Sequence, residues 1–175
     1  LRKGDPEALA LVREHHPRAV ERAAAKLADA QAALARSYGL ASWARLALAC
    51  RIIDAIWRDD VAAVRDLIVT YPHLLHENAV RPNSNWGPPM SYAANLGRDA
   101  IVATLRELGA DDVQHAFERA ALQGKTKTAR RLIAMGARPV RGSVMGPCET
   151  LNADGLAFLL DAGAELADEH GNRLA

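Results

Sequence analysis

The dipeptide Gly-Ala occurs at Gly109-Ala110, Gly136-Ala137 and Gly163-Ala164, with a spacing of 27 residues both times. A fixed period of this length marks a chain built from copies of one supersecondary unit. Twelve residues before the first two pairs stand Gly97 and Gly124. Between these markers runs one apolar pattern. It reads Val102 and Leu105 in the first unit, Ala129, Leu132 and Ile133 in the second, and Leu156, Leu159 and Leu160 in the third. Earlier copies follow Asp60 (Val64, Leu67, Ile68) and Asp5 (Leu9, Val12).

Apolar residues at i, i+3 and i+4 put one stripe on a helix. A glycine after the stripe ends the helix, because it enters the left-handed conformation cheaply. The residues ahead of each stripe, such as Tyr92-Ala93-Ala94 and Arg119-Ala120-Ala121, predict a second, shorter helix. Its paired alanines permit close helix approach. The glycine between the two helices makes the reversal. A single pair cannot bury its own stripe, so neighbouring pairs must stack. Composition agrees: 36 alanines and 22 leucines make up about a third of the 175 residues, and aromatic residues only 5%. These are strong helix formers and poor strand formers, so the expected fold is all-α.

Charge and hydropathy narrow the function. A formal net charge of +1 gives no global attraction toward nucleic acid or anionic lipid. No apolar run reaches the ~18 residues of a membrane helix, because Arg45, Arg51 and Asp54 interrupt the best candidate. A basic-then-apolar signal segment is also missing. Cys50 and Cys148 read as two small packed residues in a reducing compartment, hence a cytoplasmic setting. Eighteen arginines against four lysines suit a GC-rich, bacterial genome.

The units resemble ankyrin repeats. The best copy is Trp86-Gly87-Pro88-Pro89-Met90-Ser91-Tyr92-Ala93-Ala94-Asn95-Leu96-Gly97-Arg98, continuing through Ile101-Val102, Leu105 and Gly109-Ala110-Asp111. Pro88 stands where the family has threonine, Met90 where it has leucine, and Ser91 where it has histidine. The next copy keeps Ala120-Ala121, Gly124, Leu132-Ile133 and Gly136-Ala137. The third keeps Leu159-Leu160 and Gly163-Ala164, but Pro147-Cys148 replaces the alanine pair. Family repeats are about 33 residues long, so short loops are expected in place of hairpin fingers. The stretch from His73 to Trp86 alone has room for one. The resemblance implies a solenoid with repeats at about 48–75, 86–112, 113–140 and 141–167. The segment Asp168-Glu169-His170-Gly171 then opens a partial unit, from a longer array or a degenerate cap.

Residues 1–47 are expected to form a helical capping segment. Asp5 and Pro6 start a helix that ends near Pro17. A long helix then covers 18–38, with Ala23, Leu27, Ala30, Leu34 and Tyr38 on one face, and Gly39 stops it. This segment looks like the helical leader found before ankyrin units in some bacterial proteins.

No catalytic constellation emerges, and no cofactor, metal or active site is expected. In His73-Leu74-Leu75-His76-Glu77 the glutamate lies outside the histidine pair, unlike the metalloprotease motifs. Gly124-Lys125-Thr126 lacks the upstream glycine of a phosphate loop. Cys148-Glu149 has no histidine placed near it by sequence. The residues Lys125, Lys127, Arg130, Arg131, Arg138 and Arg141 form a local basic cluster. It reads first as a solvated face, and second as a patch for an acidic partner or RNA.

The resemblance implies a concave partner-binding face built from the exposed residues of the shorter helices. Just before each paired position stand Asp54, Tyr92, Arg119 and Gly146. Just after it stand Trp57, Asn95, Leu122 and Glu149, with Arg58 and Gln123 one residue on. Tryptophan, tyrosine and arginine dominate interface energetics. The expected partner-binding residues are therefore Asp54, Trp57, Arg58, Trp86, Tyr92, Asn95, Arg119 and Gln123. The leading expectation is a non-enzymatic protein–protein interaction module. The alternative is a structural or regulatory segment of a larger multidomain protein or enzyme.

Overall fold

The computed structural model describes residues 5–16, 26–78, 85–166 and 170. These residues are all-helical, with ten α-helices, one 3-10 helix and no strand among them. The chain divides into two compact units. One is Leu1–Arg51 with Val80–Ser84, and the other is Ile52–Ala79 with Asn85–Ala175.

The first unit holds α1 (Pro6–His15), α2 (Leu27–Ser37) and the start of α3 (Trp43–Trp57). The Asp5 carboxylate accepts from the N–H groups of Glu7 and Ala8, which would otherwise be unsatisfied at the helix start. Helices α1 and α2 pack together. The expected helix over 18–38 is seen as α2 alone, since residues 17–25 lie outside the described ones. Its buried face differs from the expected one. Leu27 is 71% exposed and Tyr38 also faces solvent, whereas Ala33 and Ala35 are fully buried. Methyl side chains let the backbones approach where leucine would hold them apart. Gly39 (φ +75°) ends α2 as expected. Cys50 is exposed, against the expectation of a packed thiol, and Cys148 is partly buried.

The second unit contains α3 from Ile52, α4 (Val61–Thr70), a 3-10 turn (Pro72–Leu75), α5 (Pro89–Leu96) and α6 (Asp99–Glu107). It continues with α7 (Val113–Leu122), α8 (Thr126–Ala134), α9 (Met145–Glu149) and α10 (Ala153–Asp161). The period seen in the sequence is a backbone period. Four inter-helix turns carry the same bond, from Asp60 N–H to Ala55 O (2.9 Å), Arg98 to Ala93 (2.9 Å), Lys125 to Ala120 (2.8 Å) and Asn152 to Pro147 (2.8 Å). In each, the preceding residue is left-handed: Asp59, Gly97, Gly124 and Leu151, at φ +61°, +73°, +62° and +53°. This six-to-one bond closes a helix end and satisfies an orphan carbonyl. The second helix of three pairs ends the same way, at Gly109, Gly136 and Gly163.

Packing follows from this register. Ala93, Ala94, Ala120, Ala121 and the register-equivalent Pro147 are buried, so the short helices approach closely. The longer stripes bury Val64, Leu67 and Ile68, then Ile101, Val102 and Leu105, then Ala129 and Leu132. The last stripe departs from expectation: Leu160 is 42% exposed, and Phe158 is buried beside Leu159. The Phe158 ring lies 6.4 Å from that of Phe117 on α7, and a phenyl group reaches where Leu160 does not point. Gly155 permits the closest approach, since a Cβ there would lie 2.1 Å from the carbonyl oxygen of Ala121.

Polar links tie successive pairs. Arg65 on α4 bonds Glu107 on α6 at 2.8 Å. Asp99 on α6 accepts from the buried hydroxyl of Thr128 at 2.6 Å and pairs with Lys127 at 2.9 Å. Burial opposes ionisation of Asp99. The bonds from Lys127 and Thr128 and the charges of Lys127 and Arg131 outweigh it, and hold the carboxyl below its usual range. Among the described residues no helix is long and apolar enough to cross a membrane.

Candidate interaction site

Helix α7 carries the site, and a polar chain fixes its start. The Asp112 carboxylate, at its N-terminus, accepts from both the backbone N–H (3.0 Å) and the hydroxyl (2.5 Å) of Ser91 on α5. His115 Nδ1 lies 2.9 Å from the same hydroxyl oxygen. Ser91 has one hydroxyl proton, and it goes to Asp112. Nδ1 of His115 is therefore the donor to that oxygen. Gly87 makes room for this ring. It sits at φ +73°, and a Cβ there would lie 2.4 Å from His115 Nδ1. The three residue types match a hydrolytic triad, but the order does not. Ser91 stands between the other two, fully buried and bonded on both sides, so it has no free nucleophilic oxygen. The chain locks α5 to α7.

One turn further along α7, Arg119 donates from Nη2 to Asn95 Oδ1 at 2.7 Å. Its guanidinium also lies over the Trp86 ring, 4.9 Å from the centroid. Trp86 in turn meets Tyr92 edge-on at 5.6 Å. Four of the expected binding residues thus come together. Two of them are not contact surface: Tyr92 and Asn95 are 7% and 5% exposed. Trp86 packs on the one and Arg119 binds the other, so they serve as the bed on which Trp86 and Arg119 lie. Burial pushes the Tyr92 hydroxyl up and the Arg119 guanidinium down from their ordinary values. The Arg119 Nε is buried without a hydrogen-bond partner among the described residues.

Beside Arg119 opens a cleft of about 370 Å³, lined by His115, Glu118, Arg119 and Leu122 of α7 and by Arg141 and Met145. Tyr92, Arg119 and Gly146 occupy the same place in successive units, 27 residues apart. The third has no side chain, so the row of bulk stops there. A Cβ at Gly146 would lie 2.6 Å from Leu122 Cδ1. Leu122 therefore fills the place that a side chain at Gly146 would take, and both residues line the cleft. The chain of Asp112, Ser91 and His115 carries no short-range sequence signal, because its contacts cross 21 or 24 residues.

The other expected residues lie apart. Asp54 and Arg58 pair at 2.8 Å on the exposed end of α3. Trp57 is 59% exposed, and its carbonyl accepts from Arg98. Gln123 is exposed just past α7. The basic cluster is not one patch: Lys127 and Arg131 bind Asp99, Arg130 covers the Phe158 ring at 5.2 Å, and Arg141 lines the cleft. In the His73–Glu77 stretch, His73 stacks edge-on against Tyr71 at 6.2 Å. Among the described residues no three His, Cys, Asp or Glu side chains are grouped to hold a metal ion. Residues 79–84 of the expected finger, and the partial unit from 168 apart from His170, lie outside the described residues. No family model matches the chain, and no curated protein matches it.

Proposed function

We propose that this chain is an ankyrin-like array and acts as a non-enzymatic protein–protein interaction module. Its partner would dock on the α7 side, around Trp86, Arg119 and the adjoining cleft. The four turns that share one hydrogen bond and one left-handed residue support the repeat reading. The observation that carries the functional reading is the posture of Arg119. A half-buried guanidinium is held by Asn95 and Trp86 at the edge of an open cleft, and no described carboxylate pairs with it. Such a group is already ordered and partly desolvated, so a partner loses little entropy in engaging it. Trp57, with Asp54 and Arg58, offers a second exposed aromatic for a larger footprint. The free thiols suit a cytoplasmic setting.

A photo-crosslinking residue placed at Gln123, in the native cell, tests the reading. A discrete crosslinked protein is expected from Gln123, lost when Arg119→Ala is added, and absent from a crosslinker at Asp154 on α10. Equal crosslinking from both positions, or persistence in the Arg119→Ala background, would contradict it.

A further inference from the structure

The chemistry of the cleft identifies the feature that a partner presents. Arg119 is the one side chain here that combines a full charge, a fixed position and an unsatisfied buried N–H. Guanidinium groups satisfy several donors at once on a planar carboxylate. Arg141 adds a second positive charge to the lining. The one acid in the lining, Glu118, accepts from Gln114 Nε2 at 3.0 Å, and the two arginines outnumber it. His115 is held by Ser91 and contributes a ring wall. Of the remaining lining, Leu122, Val140, Met145 and Pro147 are apolar, and Asn85 and Ser143 are polar. A volume of about 370 Å³ lies at the low end of the ~300–1,000 Å³ of small-molecule pockets. The cleft is partly open to solvent, so a side chain delivered by an extended backbone can reach it.

We infer that this cleft is a recognition site for an acidic side chain on an extended segment of a partner protein. Arg119 is the anchor, Arg141 the second charge, and Leu122, Met145 and Pro147 take an adjacent apolar side chain. Gly146, the third member of the Tyr92–Arg119–Gly146 row, also lines the cleft. The inference rests on the proposed interaction function and adds its chemistry.

The test is an NMR titration of the full chain with two terminally capped pentapeptides. In one, glutamate flanked by leucines is the only charge, and in the other glutamine replaces it. The glutamate peptide is expected to bind at least about tenfold more tightly, with shifts centred on His115, Arg119, Leu122 and Met145. Arg119→Gln should abolish the preference while the shifts of remote amides stay in place. Arg141→Gln, on the exposed loop, should reduce it and serves as the variant least able to disturb folding. Equal binding of the two peptides would overturn the inference, as would a preference surviving Arg119→Gln. So would hexauridylate binding at these residues more tightly than the glutamate peptide. Crosslinking of a partner from Gln123 without any glutamate preference overturns the acidic-side-chain chemistry alone. A glutamate preference without partner crosslinking overturns the proposed function instead.

Discussion

The Arg119 guanidinium lies 4.9 Å from the centre of the Trp86 ring while Nη2 donates to Asn95 at 2.7 Å. Two different supports, a π face and an amide oxygen, thus hold one cation in place. A cation–π contact of this kind contributes about 0.5–2 kcal/mol, more as the pair is desolvated.

Removing the ring should therefore be felt twice. Trp86→Ala is expected to lower unfolding free energy by about 2 kcal/mol, from lost packing on Tyr92 and the lost cation–π contact. Urea denaturation measures this. The Arg119 Nε–H signal should also broaden or shift, as the side chain loses one of its two supports.

Two of the glycines at close approaches, Gly155 and Gly146, should behave oppositely. A Cβ at Gly155 meets a backbone oxygen at 2.1 Å, which cannot move without shifting α7. Gly155→Ala is expected to cost about 3 kcal/mol in thermal or urea unfolding. At Gly146 the obstacle is the tip of Leu122, which can rotate away. Gly146→Ala should change stability by less than ~1 kcal/mol, since alanine also favours the helix. It should also narrow the cleft.

Leu151 offers a stabilising change. It holds φ +53° in the turn position where two other units have glycine, and it is 92% exposed. Its side chain buries almost nothing, yet its Cβ strains the backbone. Leu151→Gly should raise unfolding free energy by about 0.5–1 kcal/mol, net of the entropy glycine adds to the unfolded chain. A drop in stability would show that the turn is not strained.

Asp99 should give stability a pH dependence of known sign. Its carboxyl titrates below the usual range when folded and near ~3.9 when unfolded. The unfolded state therefore binds more protons in that interval. The contribution is fully present above the unfolded value and is lost as pH falls through the folded one. Asp99→Asn should cost about 1–2 kcal/mol near neutrality. It should also flatten the fall of stability below about pH 4, as read from urea midpoints across pH.

The turn-by-turn architecture was legible because it is local. Gly97, Gly124, Gly109, Gly136 and Gly163 announce left-handed helix ends, and the alanine pairs announce close packing, from a few adjacent residues each. Leu160 and Leu27 misled, because a stripe of apolar letters does not say how far a helix is rotated against its neighbour. Phe158 and the alanines of α2 fit the available space better. The site was half legible. Trp86 and Arg119 stood out by residue type, but Tyr92 and Asn95 read as surface when they are the buried bed beneath. The Asp112–Ser91–His115 chain links separate units, and no short-range pattern encodes it.

The central claim is that a partner engages the surface ordered by Trp86 and Arg119. The most direct measurement is calorimetric affinity for the crosslinked partner, for the native chain and for Arg119→Ala, with helicity checked by circular dichroism. At least about a 30-fold loss of affinity with helicity retained is expected, the scale of an interface hot spot. Unchanged affinity in a folded Arg119→Ala chain would contradict the account.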